Sequence, residues 1–234
     1  MNRLTPSFSL AALMAIGASA AHAAAVPANV STTPGSAFAT PVVNTSSNGA
    51  TMDGMLVTVT FADATTSAGI WAATGITSGG AFADGWSLAL DGSSINHPWG
   101  LSNTGSRGAI VGFAIDAAPG STSFDVVFGD ELTPDSLTGW PFGTVTDSLA
   151  TVTGAEAVYS NRLFVGGSFH GDMYEMLSVS LVGGLQANGV LEFLADTDSA
   201  QRGSITSSVP EPQTHALMLA GLGMLAWTTR RRRG

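Results

Sequence analysis

The sequence predicts an all-β fold, an antiparallel β-sandwich of jelly-roll character, and three features lead to this prediction. Glycine, serine and threonine are abundant, whereas only 11% of the 234 residues are charged. These residues are poor helix formers, and the charged i,i+4 pairs of surface helices are missing. Short apolar alternations with a period of two recur along the chain, and turn residues separate them at short intervals, as in sandwich folds.

The clearest strand runs from Leu56 to Phe61, where Val57, Val59 and Phe61 alternate with threonines and therefore share one face. Similar alternations occur at Trp86, Leu88, Leu90; at Val111, Phe113, Ile115; at Phe124, Val126, Phe128; at Leu177, Val179, Leu181; and at Leu191 with Phe193. Turn residues bound these runs at Ser78-Gly79-Gly80, Asp91-Gly92, Ala118-Pro119-Gly120, Gly183-Gly184 and Asn188-Gly189. No convincing helix is predicted outside the two termini.

Composition divides the chain into four parts, with one domain of ordinary size between two terminal signals. Residues 1–23 and 209–234 are the terminal signals. Residues 24–50 are rich in Ala, Ser, Thr, Asn and Pro, and we interpret them as a loosely ordered lead-in, part of which pairs as a first strand. Residues 51–208 form the predicted ectodomain.

The charge of the central region excludes nucleic acid as a partner. Between Ala24 and Val209 there are 16 acidic residues against 3 arginines, which leaves a formal net charge of −13. A phosphate backbone is repelled by such a surface. The chain has no cysteine, which also excludes disulfides, thiolate catalysis and cysteine-ligated zinc.

The first 23 residues have the features of a secretory signal peptide. A polar start with Arg3 precedes an apolar run from Phe8 to Ala20 that is short for a membrane span. Ala21 and Ala23 then supply the small residues that a signal peptidase requires, and Ala23-Ala24-Ala25 is the alternative cleavage motif. The Sec translocase and signal peptidase are the implied partners. An uncleaved N-terminal membrane anchor is the competing interpretation.

The C-terminal end combines three features in a fixed order. Pro210-Glu211-Pro212 precedes an apolar stretch at 216–227, and a cluster of arginines closes the chain: Arg230, Arg231, Arg232 and Arg233. The two prolines hold the backbone extended and delay the start of a helix. The apolar stretch is suited to enter a bilayer as a transmembrane helix, with the arginines on the cytoplasmic side.

This order resembles the PEP-CTERM sorting signal of Gram-negative bacteria. The resemblance implies recognition by an exosortase, a membrane-embedded transpeptidase-like enzyme, with Pro210, Glu211 and Pro212 as the recognition motif. The chain differs from related tags at His215, where an aromatic residue is common, and its apolar stretch is short. A plain tail anchor that is never cleaved is the competing interpretation.

The middle of the chain also resembles an ectodomain that recurs in PEP-CTERM proteins, from about Thr51 to Asp198. The segments that carry this resemblance are 98–103, 124–128, 133–136 with Gly139, 172–177 and 191–198. The resemblance implies no established enzymatic activity.

The residues themselves predict no catalytic site. The closest match to a nucleophile elbow, Gly166-Gly167-Ser168-Phe169-His170-Gly171, lacks the second glycine where that motif needs it. His97 and His170 are the only histidines of the ectodomain, and a loop histidine bonded to backbone is the simpler interpretation of each. We therefore expect a protein that is not an enzyme.

Calcium is the most reasonable cofactor for this chain, because it prefers several carboxylate and carbonyl oxygens. The candidate ligands are Asp196 and Asp198 in one cluster, and Asp130, Glu131 and Asp135 in another. Neither cluster matches an EF-hand loop, and solvated turns are the alternative.

Together these features predict an exported, exosortase-processed protein of the cell surface or medium, associated with the exopolysaccharide or biofilm matrix. A carbohydrate-binding module is the second hypothesis, with Trp86, Trp99 and Trp140 as candidate residues for stacking on sugar rings. A secreted hydrolase that uses a pair of carboxylates is the third.

Overall fold

The computed structural model describes residues 23–33, 37–38, 42–126, 139–165 and 168–200. Within these ranges the regular structure is strand, with only two short 3-10 turns at Gly49–Thr51 and Ala118–Gly120. The predicted all-β class is confirmed for this part of the chain. Residues 1–22 of the predicted leader, the sorting segment at 209–234 and the predicted residues Phe128, Asp130, Glu131 and Asp135 lie outside it.

The strands follow one another closely, as the spacing of turn residues predicts. In chain order they are β1 Ala24–Val26, β2 Ala28–Thr32, β3 Ala37–Phe38, β4 Val42–Ser46, β5 Leu56–Phe61, β6 Thr66–Ile70, β7 Ala72–Ala73, β8 Ser78–Ala83, β9 Trp86–Asp91, β10 Trp99–Asn103, β11 Ile110–Asp116, β12 Thr122–Asp125, β13 Gly143–Asp147, β14 Gly154–Val165, β15 Ser168–Leu185, β16 Val190–Leu194 and β17 Thr197–Ala200.

The strands form two sheets whose buried faces contribute to one hydrophobic core. The seven-stranded sheet has the order β1-β13-β16-β10-β9-β8-β7. The ten-stranded sheet has the order β4-β17-β12-β15-β11-β5-β6, and β14 pairs with β15 while β2 and β3 pair with β14. All pairs are antiparallel except β14 with β2 and β14 with β3.

Within the described residues, the buried side chains lie where the period-two patterns predict them, with one exception. Val57, Val59 and Phe61 are buried on one face of β5, as expected. In β11 the prediction put Val111 on the same face as Phe113, but Ile110 is buried there and Val111 is only half-buried. The cause is a register shift between Ile110 and Gly112 against both neighbouring strands, since an extra residue reverses the alternation.

The described residues between 24 and 50 lie mostly in strands, although their composition suggested a loosely ordered lead-in. Strands β1, β2, β3 and β4 pair with β13, β14, β14 and β17, so the segment joins both sheets. Asn48 caps the following 3-10 turn, its side chain accepting from the Ala50 N–H at 2.9 Å. The predicted division at residue 51 therefore does not coincide with a break in strand pairing.

The passage from β6 to β7 connects the two sheets through Trp71. Its indole N–H donates to the Gly49 carbonyl at 2.7 Å, and its ring centroid lies 5.1 Å from that of Trp99. Gly79 lies against the same carbonyl, and a Cβ on Gly79 would be 1.9 Å from it. The turn predicted at Ser78-Gly79-Gly80 is thus wrong: this segment begins β8, and its glycine is needed for close packing at the corner.

None of the helical turns within the described ranges is long and apolar enough to cross a membrane. The predicted transmembrane stretch at 216–227 lies outside those ranges.

Candidate functional site

The polar interior of the molecule is built where the chain crosses from β16 in one sheet to β17 in the other. Asp196 lies at this crossing and is only 4% exposed. Its N–H donates to the Trp140 carbonyl at 3.0 Å, and its own carbonyl accepts from the Asp125 N–H at 3.1 Å. These bonds hold the crossing in place and direct an acidic residue into the interior. We call Asp196, Ser94 and Thr197 the crossing cluster.

Within the crossing cluster the carboxylate is bonded by groups from two segments. Asp196 Oδ1 accepts from the Ser94 hydroxyl and from the Thr197 N–H, each at 2.8 Å. The Ser94 N–H donates to the Ser47 carbonyl at 3.0 Å, which ties the β9–β10 loop to the end of β4. Side-chain and backbone bonds of Asp196 thus connect its segment to those of Ser94, Asp125 and Trp140.

Burial governs the ionisation of this region. It raises the pKa of the Asp196 carboxyl, although hydrogen bonds from Ser94 and Thr197 oppose the shift. Tyr159 is fully buried, and burial raises the pKa of its phenol far above its usual range. The Phe142 N–H, which donates to the phenol oxygen at 2.8 Å, opposes this shift, and the charge of Asp196 adds to it.

Asp198, the second predicted calcium ligand of this cluster, is buried in β17 and pairs with Ser123 of β12. Other buried acidic residues of the same sheet are Asp125, Asp172 and Glu175. In the described part of the chain, no group of three or more histidines or acidic residues is placed to hold a metal ion. Calcium at Asp196 and Asp198 stays a prediction, for which chelation should lower the thermal midpoint.

Of the histidines considered for catalysis, only His97 has a described side chain, and its hydrogen bond is not with the crossing cluster. Ser94 has a carboxylate partner, but His97 of the same loop is exposed, with Nδ1 2.6 Å from Asn96 Oδ1. His170 and Ser168 lie in β15, in a segment whose side chains are not described. The crossing cluster is a set of hydrogen bonds that connects segments of the two sheets.

The candidate sugar-stacking tryptophans separate into two groups. Trp86 and Trp99 are 1% and 0% exposed, and the Trp99 indole N–H donates to the Ala195 carbonyl at 2.9 Å. Trp140 is 57% exposed and is the one candidate whose ring reaches solvent. Trp86 and Trp99 are therefore part of the core and are not placed to stack on a sugar ring.

Sequence reasoning singled out Asp196 but not its partners Ser94 and Tyr159, which come from segments 102 and 37 residues away. It also missed Asp147. The Asp147 carboxylate accepts from the N–H groups of Leu149 at 3.0 Å and Val152 at 2.9 Å, from the Thr151 hydroxyl at 3.0 Å and from the Thr151 N–H. The sequence did contain a pattern that predicts this turn: an acidic residue at its start and a threonine four positions later.

At pH 7 we expect Asp196→Asn to raise the midpoint of thermal unfolding. Because the pKa is raised in the folded protein, stability is lost as the pH rises through the ordinary pKa of the group and on through its folded-state pKa. An amide oxygen at this position still accepts hydrogen bonds but carries no charge. The difference between variant and wild type should vanish as the pH falls below 3.8, the ordinary pKa of the group.

Thermal melts of both proteins between about pH 3 and pH 7 check this sign. Asp63→Asn is the matched control, because hydrogen bonds from Thr65 lower the pKa of the exposed Asp63 and removing that charge should not stabilise the protein. A lower midpoint for Asp196→Asn at pH 7 would mean that the ionised carboxylate is favourable in the fold.

The comparison with known proteins concerns the C-terminal end. The family model for the PEP-CTERM protein-sorting motif matches residues 208–233, which include Pro210, Glu211, Pro212 and the arginine cluster. No curated protein and no solved structure matches the chain.

Proposed function

We propose that this chain, which carries a PEP-CTERM protein-sorting motif at residues 208–233, is exported by the Sec translocase and then processed by an exosortase. The sorting motif is the observation that carries the proposal, because it indicates an exosortase-targeted protein that is transiently held in the inner membrane. The predicted leader at 1–23 supplies the N-terminal half of the same route. The cell surface or the extracellular matrix is the proposed destination.

The proposed role after processing is association with exopolysaccharide, without catalysis. Part of the domain's acidic excess is exposed, at Asp53, Asp63, Asp84, Asp91, Glu156 and Glu192, and such carboxylates keep an extracellular protein hydrated and soluble. The hydrogen bonds of Ser94 with Asp196 and with backbone support a structural role for this buried pair.

Carbohydrate binding is a second candidate, favoured by the exposure of Trp140. The backbone of Trp140 is held in place, because its carbonyl accepts from the N–H of the buried Asp196, and the indole extends from this point into solvent. An exposed ring on a rigid support is suited to stack on a sugar ring. Co-sedimentation with exopolysaccharide should be weaker for Trp140→Ala than for wild type. Phe82→Ala, which removes another exposed ring, is the control.

The proposal includes a two-layer sandwich of jelly-roll character for the ectodomain. The two sheets share one core, and nearly all of their pairs are antiparallel, which supports this arrangement.

Intact-mass measurement of the protein recovered from membrane and medium tests the route at both ends. We expect an extracellular species that lacks the leader and the arginine cluster, because the two signals are removed by different enzymes. Deleting residues 1–23 should leave the chain in the cytoplasm, since the apolar run is the only N-terminal feature a translocase can engage. Export of that deleted form at the normal level would contradict the proposal.

A further inference from the structure

Strand β1 begins directly after the predicted leader. Ala24, Ala25 and Val26 pair with Asp147, Thr146 and Val145 of β13, whereas Ala23 is exposed and outside the strand. Strand β1 therefore begins at the first residue after the predicted leader. Where the leader is removed decides how much of β1 exists in the mature protein.

The two cleavage motifs that the sequence allows have different consequences for β1. Cleavage after Ala25 would remove two of its three residues and make Val26 the first residue. Val26 is 6% exposed and belongs to the core, so the new α-ammonium group would be placed on a buried apolar residue. Val26 would then be held against β13 by one residue pair instead of three. Cleavage after Ala23 keeps the whole strand and places the charge on Ala24, which is half-buried.

The register supplies a partner for that charge. Ala24 is the residue paired with Asp147, and paired Cα atoms in an antiparallel ladder are about 4.5–5.5 Å apart. Burial raises the pKa of the Asp147 carboxyl, but hydrogen bonds from Leu149, Val152 and Thr151 outweigh it and lower the pKa, so the group is anionic at neutral pH. An α-amino group has a pKa of about 7.7–8.0 and is cationic there.

This domain has few positive charges, so a positive charge at its N-terminus would meet little repulsion. The chain has no lysine, and only Arg107, Arg162 and Arg202 lie between residues 24 and 209. An added positive charge beside a carboxylate is favourable in a region with a net charge of −13.

We infer that the mature chain begins at Ala24, whose α-ammonium group lies beside Asp147 and fixes strand β1 at the edge of the seven-stranded sheet. Hydrolysis of the Ala23–Ala24 peptide bond by a signal peptidase adds one water, leaving a carboxylate on Ala23 and an amino group on Ala24. This inference rests on the proposed export route. It adds that leader removal also creates a structural ion pair.

The N-terminal residue of the exported protein is the first test. Mass spectrometry of the N-terminal peptide from the medium or membrane fraction should give a chain beginning at Ala24. An exported chain beginning at Val26, or at any other residue, overturns the inference and leaves the export route standing. A chain that keeps residues 1–23 and stays in the cytoplasm overturns both.

The absence of lysine allows a second test on the exported, processed protein, because its α-amino group is the only primary amine. Acetylation with an active ester, followed by hydroxylamine to clear hydroxyl groups, removes the charge. Reductive dimethylation adds similar bulk and keeps it. At pH 6.5 we expect acetylation to lower the thermal midpoint by roughly 1–3 °C and dimethylation to leave it unchanged. Equal midpoints for the two derivatives overturn the inference.

Substitution of the proposed partner identifies the carboxylate involved. In Asp147→Asn the acetylated and dimethylated proteins should melt together, whereas in Glu192→Gln, which alters an exposed carboxylate of the adjacent strand, the difference should persist. A difference that persists in Asp147→Asn contradicts the pairing. Should Asp147→Asn fail to fold, the two wild-type derivatives still decide the question.

Discussion

Glu211→Ala, with both neighbouring prolines kept, should cause an unprocessed species ending at Gly234 to accumulate in the inner membrane. Pro210 and Pro212 restrict the backbone before any enzyme binds it, so that recognition has a small ordering cost and Glu211 is the charge presented. Hydrogen bonds to a charged group contribute about 1.5–3 kcal/mol, and their loss weakens recognition by roughly 10–100-fold. The sorting-motif match at 208–233 places this residue in the recognised segment.

Intact-mass analysis of membrane and extracellular fractions measures the effect. Glu192→Ala is the matched control, because it makes the same substitution on the exposed face of β16 and should be processed normally. A plain tail anchor predicts that Glu211→Ala changes nothing, since retention would depend on the apolar stretch and the arginines. If wild type and variant both give the same mature form ending at Gly234, the exosortase assignment is wrong.

Gly79→Ala should be the most destabilising small substitution in the described domain. A Cβ on Gly79 would lie 1.9 Å from the Gly49 carbonyl oxygen and 2.5 Å from the Trp71 indole nitrogen. The first contact is with a backbone atom, and the second is with the donor of the buried Trp71–Gly49 hydrogen bond. Moving either group therefore disturbs the backbone or breaks that bond. Overpacking together with loss of that bond costs about 2–4 kcal/mol. For a domain of this size the midpoint should fall by roughly 5–15 °C.

Gly100→Ala is the control that isolates packing from backbone effects. Both glycines lie within strands, neither has a positive φ, and a Cβ on Gly100 would meet nothing within 4 Å. We expect this variant to be as stable as wild type or more stable by about 0.5–1 kcal/mol, because alanine loses less backbone entropy than glycine. Thermal or urea unfolding of the exported protein compares the two. Equal losses in both variants would contradict the close packing at the Trp71 corner.

Alternation within single segments was enough to find several strands and their buried faces. Val57, Val59 and Phe61 follow from local chemistry, because a strand that exposes one face must alternate. The same rule failed at Val111, since the bulge beside it depends on how β11 pairs with two neighbours. The assignment of turns from residue type failed at Gly79, where a residue typical of turns allows a close approach between segments 30 residues apart.

The sequence by itself determined the all-β class, the acidic character of the domain and the sorting signal, because each depends on composition or on residues adjacent in the chain. Only the tertiary structure decided that Ala24 pairs with Asp147, that Asp196 meets Ser94, and that Trp99 is core while Trp140 is exposed. Strand pairing joins residues far apart in sequence, and no local pattern specifies which strands become neighbours.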